Sequence, residues 1–168
     1  VDPKSPSESA ALLVRWMGIG HANASGNVHG GTIMKLVDEA AALAAIRHSR
    51  KRVVTAAMDR MNFMYPIYVG ELVTLNALVN AAWRTSMEVG VRVEAEDPHT
   101  GVIRHTNTAY LTMVALDENG EPSEVPPIIA STPDEQRRRH EAGLRRENRL
   151  AERAQILAHR ERSESGTL

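Results

Sequence analysis

The stretch HANASGNVHGGTIMKLVDEAAALAAIRH, running from His21 to His48, decides how the rest of the chain is read. Its first part, His21 to Gly31, is polar and Gly-rich and reads as a loop. From Thr32 to His48 neither Pro nor Gly interrupts, and Ile33, Leu36, Val37, Ala40 and Ala44 recur at helical spacing. Arg47 and His48 close the pattern with groups that suit a helix C-terminus. Asp38 interrupts this Ala-rich helix. A carboxylate at the margin of an apolar stripe is costly unless it is paired, solvated or used. The plainer reading makes Asp38 and Glu39 the solvated edge of the helix. The chemical reading makes Asp38 a base that takes a proton from water, with N–H groups at Gly30 and Gly31 free to hold an oxyanion.

Beyond the helix the hydrophobic period changes. Val53 to Ala57 is a short β-branched run, and Phe63 to Tyr65 is a second piece ended by Pro66. Leu72 to Trp83 is a long candidate strand. Ser86 to Glu96 alternates, with Met87, Val89, Val91 and Val93 on one face and Glu88, Arg92, Glu94 and Glu96 on the other. Asp97 to Gly101 is a turn, and Val102 to Leu116 a further strand. Upstream, residues 10–19 suit a short strand or turn. One long early helix followed by long strands predicts an α+β fold, an antiparallel sheet packed on a helix.

The ends differ in composition. Residues 1–9 carry Pro3, Pro6 and Ser residues and are expected as a flexible leader, with the domain proper at 10–130. Pro122, Pro126 and Pro127 mark an exit. The charged segment 131–168 then opens with a strong helix start, Thr132 as cap, Pro133 at the first position and Glu135 at the capping-box position. Pairs Glu135/Arg139 and Glu141/Arg145 are spaced for mutual support. Sparse apolar positions predict an exposed helix lying on a neighbouring surface, frayed from Ser163 onward.

Composition removes whole classes of function. The 168 residues are 42% hydrophobic, enough for a real core, and contain no Cys. This excludes disulfides, thiolate metal sites and a Cys nucleophile. A net charge of -1 gives no global case for nucleic acid. No apolar run reaches the roughly 18 residues of a membrane span. The stretch Ala10 to Val14 is too short for a secretory signal, so a cytoplasmic location is expected. Gly30-Gly31-Thr32 lacks the lysine of a phosphate loop, Gly18-Ile19-Gly20 lacks the third Gly of a dinucleotide fingerprint, and neither GxSxG nor HExxH occurs. The seven His show no metal-ligand spacing, so no metal is expected.

The segment His21 to Gly31 followed by Met34-Lys35-Leu36-Val37-Asp38-Glu39-Ala40 resembles the signature of hotdog-fold acyl-CoA thioesterases, nearest to the cytosolic (brain-type) hydrolases and their bacterial relatives. Val53-Val54-Thr55-Ala56, the pattern Phe63-x-x-Pro66-x-x-x-Gly70-Glu71, Thr85-Ser86-Met87-Glu88-Val89 and the Pro126-Pro127 exit agree in order over about residues 15–158. The resemblance implies a sheet wrapped round a central helix and hydrolysis of acyl-CoA to a carboxylic acid and CoA. It implies a homohexamer built as a trimer of dimers, with sites at the dimer interface. Its catalytic pair falls on Asp38, as general base or nucleophile, and Asn23 from a second copy, with Asn27 as rival. Gly30 and Gly31 would hold the thioester carbonyl. Thr55 reads either as a pantetheine contact or as a plain strand Thr, and Arg84, Thr85 and Ser86 either as CoA contacts or as an exposed turn. No cofactor is implied beyond CoA as part of the substrate. Two other readings stay open: a hotdog hydratase or dehydratase, whose usual catalytic His is missing at the helix position, and a non-catalytic acyl-CoA-binding regulator. In the regulator reading the Arg-rich tail would bind nucleic acid, against which its own carboxylates argue.

Overall fold

In the computed structural model, which describes residues 2–165, the Ala-rich stretch forms helix α1, Gly30–Ser49. It starts two residues before the periodicity predicts because His29 caps it: Nδ1 accepts from the Gly31 N–H at 2.9 Å. Five strands follow the expected places, β1 (Ala11–Trp16), β2 (Arg52–Met58), β3 (Leu72–Ala82), β4 (Ser86–Glu96) and β5 (Ile103–Leu116), and helix α2 spans Pro133–Ser165. They make one antiparallel sheet in the order β1-β3-β4-β5-β2. Phe63 to Tyr65 is exposed loop rather than strand. The β2–β5 pairing ends at Asp59, whose N–H donates to the Tyr110 carbonyl at 2.9 Å, and Pro66 cannot continue a ladder.

The sheet curls round α1. Ile33, Leu36, Val37, Ala40, Ala41, Ala44 and Ala45 are buried against Val73, Leu75, Ala77 and Val79 of β3. From the other side come Met87, Val89, Val91 and Val93 of β4 and Leu111 and Met113 of β5. Each fully buried Val, Leu or Met is worth about 1.5–3 kcal/mol relative to exposure. This is the wrapped-helix architecture that the resemblance implies. No helix among the described residues is long and apolar enough to cross a membrane.

The outer face of the sheet is not simply solvated. Glu88 of β4 is fully buried and accepts from Arg145 Nε and Nη2 of α2 at 3.0 and 2.7 Å and from Asn80 Nδ2 at 3.2 Å. Arg145 also stacks on the Tyr110 ring, 3.6 Å from its centroid. A Cβ on Gly90 would lie 2.6 Å from Asn80 Nδ2, so only Gly lets Asn80 reach Glu88. α2 therefore lies on the sheet of its own chain. Its capping box forms as expected: Glu135 N–H donates to Thr132 Oγ1 at 3.2 Å, and Thr132 N–H to Glu135 Oε2 at 3.0 Å. The expected Glu135/Arg139 and Glu141/Arg145 pairs do not form. Glu135 is used by the cap and Arg145 by Glu88, while Arg137 takes Asp134 and Glu141 instead. α2 continues through Ser165, and the end of the expected fray, residues 166–168, lies outside the described residues.

Residues 4–9 of the expected leader are fastened down. Lys4 N–H donates to Pro127 O at 3.0 Å, Ile129 N–H to Lys4 O at 2.9 Å, and Ser9 is buried at the end of a single helical turn, Pro6–Ser9. The node they cover is His48. Its sequence position suits a cation at the helix end, yet it is fully buried, with Nε2 donating to the Pro126 carbonyl at 2.8 Å and Nδ1 facing Ser9 Oγ at 3.4 Å. Burial holds this imidazole below the ordinary histidine value of 6.5, against the Pro126 bond and Glu8, which favour the proton, and with the help of Lys4. Between the folded value and 6.5 the unfolded chain binds more protons. The contribution of neutral His48 is thus complete above pH 6.5 and is lost as pH falls through the folded value. Urea midpoints measured from pH 7.5 downward should fall below pH 6.5, and His48→Gln should flatten that fall while lowering the midpoint at neutral pH.

Candidate active site

The loop before α1 is built round Asn23. Its Oδ1 accepts from the N–H groups of Ser25 at 2.9 Å and Asn27 at 3.2 Å, and its own N–H donates to Asn27 O at 2.7 Å. Gly26 turns the chain at φ 80°, in the left-handed region. Val28 N–H then donates to Ile67 O at 2.8 Å, which lays the loop against the segment between β2 and β3. Together they enclose a hollow of about 290 Å³ lined by Asn23, Asn27, Gly30, Ile33, Phe63 and Pro66, among others. Both candidate asparagines thus border one space, and the Asn23 amide nitrogen makes no hydrogen bond among the described residues.

The two glycines differ. Gly30 N–H has no partner among the described residues and lies at the hollow. Gly31 N–H, expected to be free for an oxyanion, is taken by His29 Nδ1. His29 therefore has a defined task as the cap of α1. Phe63, quoted from the sequence only as part of a turn pattern and not as a site residue, lies against Gly30: a Cβ there would be 3.5 Å from its ring.

Asp38 stands elsewhere on α1. Eight residues beyond Gly30, it is separated from the hollow by about 12 Å of helix rise. Its Oδ1 accepts from the Thr55 hydroxyl of β2 at 2.5 Å, and Thr55 Oγ1 also lies 3.5 Å from Met113 Sδ. The half-buried carboxylate is therefore oriented, with Oδ2 making no bond among the described residues. A single chain brings Asp38 to Thr55 and Asn23 to Gly30, but does not bring the two pairs together.

Arg84 and Thr85 lie in the β3–β4 turn, and Ser86 opens β4. Their carbonyls accept from Val125, Ala115 and Trp83 N–H groups at 3.0, 3.0 and 2.8 Å, which fastens the exit of the domain. The Arg84 side chain is exposed and pairs with no carboxylate among the described residues. Met87, next along, faces Met113 and through it Thr55, so the turn lies near the Thr55 end of the sheet, about two strand spacings or 10 Å across. No cluster of three metal-ligating side chains occurs among the described residues.

The thioesterase superfamily profile matches residues 25–102, from the Asn23 loop through β4. Protein VdlD of Helicobacter pylori is 42% identical over 125 residues, 74% of this chain and 71% of that protein. The chain belongs to the thioesterase superfamily. The cytosolic acyl coenzyme A thioester hydrolase of Mus musculus is 34% identical over 140 residues, and this chain spans 36% of its length. Among solved structures, an apo-hexameric acyl-CoA thioesterase superposes with a TM-score of 0.88 at 36% identity, covering 92% of this chain and 99% of that one. The acyl-CoA hydrolase of Staphylococcus aureus, in complex with butyryl coenzyme A, coenzyme A and coenzyme A disulfide, gives 0.86 at 34% identity, covering 96% and 98%. Further structures of that hydrolase carry single alanine substitutions of an asparagine, an aspartate and a threonine. The sheet wrapped round α1 is the hotdog fold of these thioesterases.

Removing the His29 cap should cost about 1 kcal/mol, the usual value for an N-cap side chain. His29→Ala should lower the thermal midpoint by a few degrees, roughly as that loss predicts for a domain of this size, and His29→Asn should recover most of it.

Proposed function

We propose that this chain hydrolyses acyl-CoA thioesters to a carboxylic acid and CoA, in sites shared between two copies of itself. The observation that carries the reading is Asp38, held by the Thr55 hydroxyl at 2.5 Å with its second oxygen open, while Asn23 and the free Gly30 N–H border a separate hollow. Each copy carries both halves at separate places, and pairing two copies would bring the Asp38 half of one to the Asn23 half of the other. The substituted asparagine, aspartate and threonine of the S. aureus hydrolase are spaced 15 and 17 residues apart by their printed numbers, as are Asn23, Asp38 and Thr55 here, which favours these three positions.

In this scheme Asp38 Oδ2 takes a proton from water as the water oxygen attacks the thioester carbonyl. The Gly30 N–H of the other copy receives the oxyanion, the task expected of Gly31 as well before His29 claimed that N–H. Collapse of the tetrahedral species breaks the C–S bond, and the proton on Asp38 passes to the departing CoA thiolate. The Asn23 amide of the other copy orients the water or the thioester, with Asn27 bordering the same hollow. Arg84, exposed and without a carboxylate partner among the described residues, with Thr85 and Ser86 beside it, suits the phosphates of CoA. The scheme uses no metal or redox cofactor. Against a nucleic-acid-binding regulator, Arg137, Arg138, Arg145 and Arg149 of α2 already face carboxylates. Against a dehydratase, His29 stands at the N-cap rather than beside Asp38. The hexameric relatives favour a hexamer, which sites shared between pairs of copies would make a trimer of dimers, and the cytosolic relatives favour the cytoplasm.

Asp38→Asn should lower kcat for butyryl-CoA by about 100-fold or more while the fold and assembly survive. Asn23→Ala should also lose activity. Mixing the two inactive variants under conditions that exchange subunits should return activity, because a composite site pairs intact Asp38 with intact Asn23. Full turnover by Asp38→Asn would make the carboxylate a solvated helix edge, and exchange without recovery would remove the shared site. Light scattering should give the mass of six chains, and a monomer would contradict the assembly.

A further inference from the structure

The segment between β2 and β3, residues 59–71, is fastened at both ends by an arginine on a carboxylate. At its far end Arg104 of β5 donates to Glu71 Oε1 and Oε2 at 2.8 and 3.0 Å and to Pro66 O at 3.2 Å, and Glu71 Oε2 also accepts from Tyr68 N–H at 2.9 Å. At its near end Arg149 Nη1 lies 3.2 and 3.0 Å from Asp59 Oδ1 and Oδ2, with side chains 25% and 20% exposed. Arg104 belongs to the sheet, but Arg149 belongs to α2, a helix outside the hotdog unit.

Asp59 is a junction. It is the residue after β2, and its N–H makes the closing bond to Tyr110, the residue on which Arg145 stacks. Four residues before it stands Thr55, which orients Asp38, and four residues after it stands Phe63, which walls the hollow at Gly30. Between Thr55 and Asp59 the β2–β5 register shifts, between Thr55 and Ala57. A bulge leaves one residue out of the ladder, so the direction of Thr55 depends on how the strand is held beyond it. The neighbouring Arg60–Glu152 pair, 3.8 Å apart and largely exposed, cannot do this. The half-buried, two-oxygen contact of Arg149 can.

We propose that Arg149 is a positioning residue: through Asp59 it holds the end of β2 and thereby the Thr55–Asp38 hydrogen bond. The inference rests on the role of Asp38 proposed above. It makes α2 a support for the site of its own chain as well as a cover for the sheet.

The test is steady-state hydrolysis of butyryl-CoA by Arg149→Ala, Arg149→Lys, Thr55→Val and the Arg149→Ala/Thr55→Val double variant, with light scattering and melting curves on each. Small misplacements of reacting groups carry large rate costs, so Arg149→Ala should lower kcat about tenfold at unchanged assembly. KM should stay within about twofold, the signature of a lost orientation rather than lost binding. Arg149→Lys should recover part of the rate. Once Thr55 has lost its hydroxyl, Arg149→Ala should cost little more, because both act through one contact. Wild-type kcat in a folded, assembled Arg149→Ala would overturn the proposal, as would losses that multiply fully with Thr55→Val. If Arg149→Ala fails to assemble, Asp59→Asn decides: a comparable fall in kcat at unchanged assembly supports the clamp, and wild-type kcat overturns it. Asp38→Asn is read alongside. Full turnover there removes the proposed function itself, whereas a dead Asp38→Asn beside an unaffected Arg149→Ala removes this inference alone.

Discussion

The close approach of α1 to the sheet is the constraint on which the other features depend. Ala40, Ala41, Ala44 and Ala45 are fully buried, and their small side chains let the strands curl onto the helix backbone. Bulk comes from the sheet side, from Val, Leu and Met of β3, β4 and β5, so large residues face small ones and the space fills. A helix gripped in this way has little surface left. Asp38 stands at the margin of that grip, where β2 passes, and the same geometry that limits its exposure brings the Thr55 hydroxyl to its Oδ1. Site and core share one helix face boundary.

The second face of the sheet follows a different rule. Glu88 is as buried as any valine of β4, but its neighbours are Arg145, Asn80 and Tyr110. A buried ion pair adds little net stability over an apolar contact, yet removing one partner costs roughly 3–5 kcal/mol because the other charge is stranded. Such a contact is poor glue and a strong selector of register. It specifies where along its length α2 meets the sheet, and Ala142, fully buried one turn earlier, completes the fit. With Arg145 on Glu88, Arg149 falls one turn later and reaches Asp59 at the end of β2. The placement of the tail helix and the placement of the Thr55 strand are in this sense one decision.

The ends of α1 are fastened by unlike devices. At its start His29 takes the Gly31 N–H and leaves that of Gly30 open toward the hollow. At its end His48 is buried beneath residues 4–9 and bonded to Pro126, which ties the N-terminal segment, the helix and the exit of the domain into one node. Two histidines near the termini of one helix thus do opposite work. One shapes the opening where chemistry is proposed, and the other closes the far end against water.

Much of this is legible in the amino-acid sequence by itself. The helix at α1, the limits of β4 at Ser86 and Glu96, the inward set Met87, Val89, Val91 and Val93, and the Thr132–Glu135 capping box are all readable there, because periodicity and capping act over a few residues. The resemblance points to Asp38, Asn23 and Thr55 as site positions. Tertiary structure alone decided what no short window contains. It put Glu88 under α2 rather than in water, turned His48 from a helix-end cation into a buried neutral donor, and spent the Gly31 N–H on His29. It also drew Arg145 and Arg149 away from their own helix to Glu88 and Asp59, 57 and 90 residues distant in sequence. The physical reason is that a charged side chain carries no periodic signature of its partner. Which carboxylate it meets depends on which surfaces the folded sheet brings within a hydrogen bond of it, and that is known only once the chain has closed on itself.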